Sequence, residues 1–402
     1  MYRSSSSMEP LIPEAGDLPD LAVEIHSHSA ALGARLHPTS EDTVGDLLRI
    51  IKSYYSNLIE GHNTHPLDIE RAMKQDYSDD PAKRDLQTES LIHIEVQQTM
   101  EQRLREEPEL DPTSSDFLCW LHQEFYDRLP EEFKWVKNEK TGEKIYVEGG
   151  KLREQDVEVG AHVAPSFDVL STFMSRFAEF YKVTRFNGHN KLLAVAAAHH
   201  RLTWIHPFLD GNGRVVRLFT DAGFMHAGLD GWMLWSVGRG LARSRDNYMA
   251  MLANADAQRR GDLDGRGNLS LDGLNRFCRF FLETCLDQIN YMDGLVQLDG
   301  LVDRIRGYVA LREQGMVPGA KALKPQSAFL LEEALIRGKF ARGEASRITG
   351  LPERSARIIL KQLLEEDLLV SDSPKGLVRL GIPVKTAAYL FPQLYPDSLH
   401  SG

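Results

Sequence analysis

The stretch HPFLDGNGRVVR, residues 206–217, places a histidine, a carboxylate, two glycines around an asparagine and two arginines close together. Its glycines, Gly211 and Gly213, stand between a proline-containing turn and a predicted helix. Glycine lets the backbone turn its N–H groups toward a ligand, and the N-terminus of the helix adds positive charge at the same point. The stretch therefore predicts a loop that binds phosphate groups.

The charged side chains around this loop fit phosphoryl or nucleotidyl transfer. Arg214 and Arg217 are one helical turn apart, so both guanidinium groups can reach the same side and bind phosphate oxygens. A carboxylate beside a polyphosphate, here Asp210, is typical of a Mg²⁺ ligand, and His206 suits a general base near neutral pH. The sequence contains no P-loop pattern.

The stretch resembles the signature of the Fic family, H-P-F-x-[D/E]-G-N-G-R-x-x-R, at every fixed position. The preceding AAAHHRLTWI, residues 196–205, is similar to the helix that leads into that signature. Family members commonly transfer AMP from ATP to a protein hydroxyl. The resemblance therefore implies an adenylyltransferase that uses ATP and Mg²⁺, with Mn²⁺ as an alternative metal, and modifies Ser, Thr or Tyr of a target protein, which can be the chain itself.

The resemblance also implies a role for each position of the signature. Members that phosphorylate lack a glycine at the position of Gly213, so this residue favours AMP transfer. His206 would act as the base, Phe208 would pack inward and Asp210 would bind the metal. The α- and β-phosphates would be bound by Gly211, Asn212 and Gly213. The outer phosphates would be contacted by Arg214 and Arg217.

A metal hydrolase built on His199, His200, His206 and Asp210 is the competing interpretation of this region. Adjacent helical residues face different ways, so only one of His199 and His200 could join such a site. The sequence has no H-E-x-x-H pattern, which further disfavours a hydrolase.

The segment SNLIEG, residues 56–61, is similar to the family's inhibitory pattern, [S/T]-x-x-x-E-[G/N], through Ser56, Glu60 and Gly61. It ends a long predicted helix on the N-terminal side of the signature, as in the N-terminally inhibited class. There the glutamate pairs with the second arginine, here Arg217. Two alternatives stay open: Glu60 is an ordinary surface residue, or it positions a water molecule that removes AMP from a modified protein.

The segment GGKLREQDVEVGAHVAP, residues 149–165, predicts short strands at the place of the family's flap, a hairpin over the active site. Its edge residues Val157, Val159 and Gly160 would pair with an extended target segment. Tyr248, on a helix that resembles the one closing the adenosine side, is a candidate wall for the base.

The C-terminal part predicts a helix-turn-helix followed by a wing. Arg354, Arg357 and Lys361 share one face of its longer helix, a position from which residues enter a DNA major groove. The segment is nearly neutral overall, so any DNA binding is expected to be weak. A DNA-binding regulator whose core only senses nucleotide is therefore an alternative function, and a contact with protein or a homodimer is an alternative use of the wing.

Composition limits the remaining classes. The chain has 402 residues, a net charge of −11 and three cysteines without a C-x-x-C pair, which suits a cytoplasmic protein and disfavours general nucleic-acid or membrane-surface binding. No apolar run suggests a signal peptide or membrane span. The predicted fold is mainly α. Its predicted parts are a disordered arm (1–20), an N-terminal helical region (21–110), a Fic-like helical core with a β-hairpin flap (111–300, flap at about 140–164), a helical linker (301–324) and a winged helix (325–402).

Overall fold

The computed structural model describes residues 2–14, 16–137, 142–160 and 162–396. The fold is mainly helical, with three small antiparallel sheets in the described ranges. Across these ranges, no helix combines the length and the apolar character needed to cross a bilayer.

The first residues differ from the predicted disordered arm. Ser5–Met8 form a short 3-10 helix, and Met8 and Leu11 are buried. The buried guanidinium of Arg201 donates to the carbonyl oxygen of Pro10 through Nη2 at 2.8 Å and Nε at 3.1 Å. The prediction was wrong here because a few apolar residues among serines and prolines give no periodic pattern from which burial could be predicted. In the structure, Met8 and Leu11 pack into the core and the buried Arg201 donates to the backbone between them.

The N-terminal helical region packs across the core through its second helix. That helix is buried along most of its length, because neighbours cover it on several sides. Its Lys52 pairs with Asp221 of the signature-bearing helix, with Nζ and Oδ2 3.2 Å apart. The helices are α1 (Leu18–Gly33), α2 (Pro38–Ile59), α3 (Pro66–Met73) and α4 (Pro81–Glu106).

The central region follows α5 (Ser115–Arg128) with two hairpins and then a helical core. Strands β1 (Trp135–Lys137) and β2 (Lys144–Tyr146) pair antiparallel, as do β3 (Glu158–Val159) and β4 (His162–Val163). The predicted flap range also includes residues 140, 141 and 161, which lie outside the described residues. The core helices are α6 (Leu170–Tyr181), α7 (Asn190–Ile205), α8 (Asn212–His226), α9 (Val237–Arg243), α10 (Arg245–Ala255) and α11 (Leu271–Val296).

The C-terminal part has the order of helices and strands of a winged helix, with a three-stranded sheet in the order β5-β7-β6. On the face predicted to contact DNA, Arg357 Nη2 lies 3.3 Å from Glu353 Oε2 and Lys361 Nζ lies 3.4 Å from Glu365 Oε1. These two ion pairs neutralise part of the positive charge of that face. The elements are α12 (Leu298–Glu313), α13 (Ser327–Arg337), β5 (Lys339–Phe340), α14 (Ala345–Thr349), α15 (Glu353–Glu365), β6 (Leu369–Val370), β7 (Val378–Leu380) and α16 (Val384–Leu390).

Met8→Ala tests whether the first residues belong to the folded core. Truncating a fully buried methionine is expected to lower the free energy of unfolding by about 2–5 kcal/mol. Urea unfolding followed by circular dichroism measures this change. Val23→Ala, at a residue that is 51% exposed, is the control and should change the free energy of unfolding by no more than about 0.5 kcal/mol. Equal stability of the two variants would mean that the first residues do not pack on the core.

Candidate active site

His206 lies where α7 ends, and its backbone is held in an unusual conformation. The residue has φ 50° and ψ 64°, in the left-handed region, and its N–H still donates to the Leu202 carbonyl at 3.1 Å. Arg153 fixes the turn from the opposite side, because its Nε donates to the His206 carbonyl at 2.8 Å and its backbone N–H to the Pro207 carbonyl at 3.0 Å. These hydrogen bonds fix the backbone of the turn and with it the position of the His206 side chain.

The imidazole of His206 is suited to accept a proton. Burial, and then the positive charges of Arg153 and His162, lower its pKa to about 4. A lowered pKa favours the neutral ring, so the ring is unprotonated at pH 7 and its basic nitrogen is free.

The loop after His206 is braced from within. Phe208 is fully buried and stacks on His122, with ring centroids 4.0 Å apart. The Asn212 amide closes the loop, because its Oδ1 accepts from the Phe208 N–H at 2.9 Å and its Nδ2 donates to the Phe208 carbonyl at 2.8 Å. The Asn212 side chain thus braces the loop, while the phosphate binding expected of this residue stays a prediction.

The N-terminus of α8 leaves an open set of backbone donors. Gly211 precedes the helix with φ 77°, and within the described residues no side chain caps the N–H groups that follow it. A side chain at Gly211 would also collide with the Tyr126 ring, 2.8 Å from where its Cβ would lie. The first N–H groups of a helix have no partner within the helix, so this end is an anion-binding position.

Asp210 is an ionised carboxylate at the edge of this position. Tyr126 Oη donates to its Oδ2 at 2.7 Å, and Arg214 Nη2 lies 3.6 Å from the same oxygen. Burial alone would raise the pKa of Asp210, but Arg214 and the Tyr126 hydroxyl hold it below its usual range. In the described part of the chain no cluster of three His, Cys, Asp or Glu side chains is placed to bind a metal. A single carboxylate fits Mg²⁺, which takes one or two carboxylates and completes its shell with phosphates and water.

Arg217 and Glu60 form an ion pair between α8 and the end of α2. Arg217 Nη2 lies 2.6 Å from Glu60 Oε1, and the arginine side chain is only 7% exposed. Ser56 binds the same guanidinium twice, with Oγ accepting from Nε at 2.8 Å and the carbonyl accepting from Nη2 at 3.1 Å. Burial would raise the pKa of Glu60, but Arg217 and then Arg214 hold it below its usual range.

The turn after α2 fixes the position of Glu60. Gly61 has φ 91° and donates its N–H to the Leu58 carbonyl at 3.0 Å, and His62 donates to the Asn57 carbonyl at 2.9 Å. These two bonds form a Schellman motif, which requires a left-handed residue and so favours glycine at position 61. The glutamate is therefore held at the last turn of a buried helix.

Gly213 leaves the space that the Glu60 carboxylate occupies. A Cβ added at Gly213 would overlap Glu60 Oε1 and lie 3.0 Å from Arg217 Nη1. The carboxylate of Glu60 thus lies against the first turn of α8.

The short hairpin β3–β4 lies beside the histidine. His162 Nε2 hydrogen bonds to the Trp204 carbonyl at 2.8 Å, which connects the hairpin to the end of α7. Val159 is 47% exposed, and Gly160 has φ 60° in the hairpin turn. Val157 accepts a backbone hydrogen bond from Ala164 at 3.4 Å, which extends the pairing by one step.

Tyr248 lies elsewhere than predicted. It is buried, and its hydroxyl hydrogen bonds to His199 Nε2 at 2.8 Å, while burial raises its pKa. The expected surface for stacking an adenine base is therefore not formed by this ring. His199 and His200 are buried too: His199 contacts Thr220 and Tyr248, and His200 contacts Asp256, so both serve the core.

The sequence model of the Fic/DOC family matches residues 112–222, from the start of α5 to most of α8. The chain contains a Fic domain. Its curated relatives include "Protein adenylyltransferase Fic" of Drosophila grimshawi, 40% identical over 82 residues, and that of Drosophila mojavensis, 39% identical over the same length. The matched part is 20% of this chain and 17% or 16% of those proteins, so the chain spans only about a sixth of their length.

Solved structures of Fic proteins share the fold. A Fic family protein from Desulfovibrio desulfuricans G20 superimposes with a TM-score of 0.54 at 18% identity, covering 92% of this chain and 98% of that one. Fic-1 (residues 134–508) from C. elegans superimposes with a TM-score of 0.53 at 16% identity, covering 70% of this chain and 73% of that one.

Several residues of the Fic site lie outside both sequence motifs. His122 accepts from the Gly150 N–H through Nδ1 at 2.8 Å, so its Nε2 carries the proton and donates to the Asp210 carbonyl at 3.1 Å. Tyr126, Arg153 and Glu89 likewise contact Asp210, His206 and Arg214. These residues come from α4, α5 and a loop without any local pattern, so spacing along the sequence gave no signal for them.

An NMR titration of the His206 ring tests the electrostatics of the Fic site directly. The ring is expected to titrate near pH 4 and to stay neutral from pH 6 to 8. The spectrum of His206→Gln assigns the resonance. Titration of His206 above pH 6.5 would contradict the proposed burial of the ring.

Proposed function

We propose that this protein transfers AMP from ATP to the side-chain hydroxyl of a protein. The observation that carries the proposal is the placement of a neutral His206 beside the open N-terminus of α8, with Arg214 and Arg217 on the same helix. The intact Fic signature and the names of the Drosophila relatives support the same reaction class.

The transfer follows from the chemistry of these groups. His206 takes the proton of a Ser, Thr or Tyr hydroxyl, and the hydroxyl oxygen then forms a bond to the α-phosphorus. The bond from that phosphorus to the oxygen bridging the α- and β-phosphates breaks, and pyrophosphate leaves. The backbone donors at Gly211–Gly213 stabilise the negative charge on the phosphates during this step.

Asp210 is the residue that would hold Mg²⁺, because it is ionised and oriented by Tyr126. The bound ion would neutralise phosphate charge. The chain's own contribution is to fix the carboxylate: Tyr126 holds one of its oxygens, and His122 holds the backbone carbonyl of the same residue.

The flap would position the target. The hairpin β3–β4 has two paired residues on each strand in the described part of the chain, and an extended target segment would pair with its edge. Backbone pairing next to His206 would place a target hydroxyl near the base without reading much of the target sequence.

Glu60 would inhibit the reaction. Its carboxylate occupies the guanidinium of Arg217 and lies against Gly213, so the outermost phosphate of ATP meets a negative charge where it needs a positive one. ATP would then bind without its γ-phosphate on Arg217, and its α-phosphate would not face the hydroxyl for in-line attack.

Glu60→Gly is expected to raise AMP incorporation into the protein itself by roughly ten- to hundredfold, the value of one charge-assisted contact of about 1.5–3 kcal/mol. Ser56 still holds Arg217 in this variant, so the guanidinium stays in place for a phosphate. Incorporation from radiolabelled ATP measures the rise, and adding Arg217→Ala should return it to the wild-type level or below. No rise in Glu60→Gly would show that Glu60 does not inhibit.

The same labelled protein tests the opposite reaction. If wild type releases AMP from labelled Glu60→Gly protein faster than Glu60→Gly does, Glu60 serves removal of AMP. Under the proposed function, wild type and Glu60→Gly leave the label equally stable.

Asp210→Ala is expected to lose AMP incorporation by at least about 100-fold in the Glu60→Gly background, because no other carboxylate within the signature can hold the ion. A Mg²⁺ titration measures the loss. Asp221→Ala removes a carboxylate on α8 that is paired with Lys52, and this control variant should keep its Mg²⁺ dependence. Full activity of Asp210→Ala across the titration would remove Asp210 as the metal ligand.

A further inference from the structure

Glu89 joins the two motifs of the site although it belongs to neither. It lies on α4, and its carboxylate is buried. Oε1 accepts a hydrogen bond from Arg214 Nη1, and Oε2 lies 2.7 Å from His62 Nδ1, which donates to it. One carboxylate therefore contacts a phosphate-binding arginine with one oxygen and the turn that carries Glu60 with the other.

The packing of α4 on α2 fixes Glu89 in this position. The neighbouring Ser90 accepts from Ser53 Oγ through its carbonyl at 2.8 Å and from Asn57 Nδ2 through its hydroxyl at 3.0 Å. All three of these side chains are fully buried. These polar contacts set the register of the two helices, and that register places Glu89 between Arg214 and His62.

Arg214 needs this carboxylate for its position. Its side chain is only 9% exposed and lies over the Phe125 ring, 4.8 Å from the ring centroid. Glu89 holds Nη1, which leaves Nη2 on the Asp210 side of the group, 3.6 Å from Asp210 Oδ2. Without Glu89, Asp210 would be the ion-pair partner left to this buried guanidinium among the described residues, and the guanidinium would move onto the carboxylate that the proposed reaction uses.

We propose that Glu89 is a positioning residue for AMP transfer, an inference that rests on the proposed function. It holds Arg214 with one oxygen so that the guanidinium meets phosphate rather than Asp210. With its other oxygen it holds His62 and so anchors the inhibitory turn. The two effects are separable, because loss of Glu89 disturbs both contacts whereas loss of His62 disturbs only the second.

The first effect is tested by comparing Glu89→Gln with Glu101→Gln in the Glu60→Gly background. Glu101 is also a buried carboxylate on α4, but its Oε2 pairs with Arg49 Nη2 at 2.6 Å and Arg105 Nη2 at 3.1 Å, away from the site. Glu89→Gln is expected to raise the KM for ATP, and the Kd for ATP measured by calorimetry, about tenfold. Glu101→Gln should lower the Tm without changing either constant. Equal ATP constants in the two variants would overturn the proposal.

The second effect is tested with His62→Ala. In the wild-type background this change is expected to raise AMP incorporation several-fold, because the turn carrying Glu60 loses its anchor. In the Glu60→Gly background incorporation should stay within about twofold, since there is no carboxylate left to release. An equal change in both backgrounds would overturn this half of the proposal.

Calorimetry keeps the failure of this proposal separate from failure of the proposed function. If Glu60→Gly incorporates no AMP into any protein, AMP transfer is wrong, yet the ATP affinities of Glu89→Gln and Glu101→Gln still decide whether Glu89 positions Arg214. If Glu89→Gln does not fold, Glu89→Asp keeps the charge on a shorter side chain and should give a smaller rise in Kd. An unchanged Kd in folded Glu89→Asp would overturn the proposal.

Discussion

Arg217 is a buried cation, and the arrangement of the site depends on how its charge is matched. A guanidinium without counter-charge in a protein interior costs several kcal/mol, so the chain must bring acceptors to it. Ser56 and Glu60, both on the last turns of α2, supply them. The same requirement that binds the N-terminal helices to α8 therefore places the Glu60 carboxylate on the arginine that the proposed function assigns to a phosphate.

The other charged groups of the site follow the same rule. Glu89 balances the charge of Arg214 by accepting its hydrogen bond. Tyr126 donates a hydrogen bond to the Asp210 carboxylate, and Arg153 donates one to the His206 carbonyl. Each functional side chain is thus oriented by a buried partner before any ligand arrives. Such preorganisation lets donors stabilise developing charge without first having to reorient.

The sequence was most informative where the candidate functional residues are contiguous in the chain. Residues 206–217 form a turn and a helix N-terminus, so spacing alone indicated which groups would meet. Glu60 was recognised from a short motif, but its distance to Arg217 depends on how α2 crosses α8. Glu89, His122 and Tyr126 gave no signal, because they belong to ordinary amphipathic helices and acquire their roles only through packing.

The differences from prediction have similar causes. Tyr248 was expected on a pocket wall, but the buried His199 takes its hydroxyl. Residues 1–20 were expected to form a disordered arm, yet Met8 and Leu11 are buried and Arg201 donates to the Pro10 carbonyl between them. In each case a residue far away in the sequence forms a hydrogen bond that the local sequence pattern does not predict.

The proposed inhibition requires that Glu60 compete with the γ-phosphate of ATP. Calorimetric titration of ATP and ADP into wild type and Glu60→Gly measures this competition, because the two nucleotides differ only in the γ-phosphate. If Glu60 inhibits in this way, removing it raises the affinity for ATP about tenfold or more while changing the affinity for ADP much less. An equal gain for both nucleotides, or no gain for ATP, would contradict it.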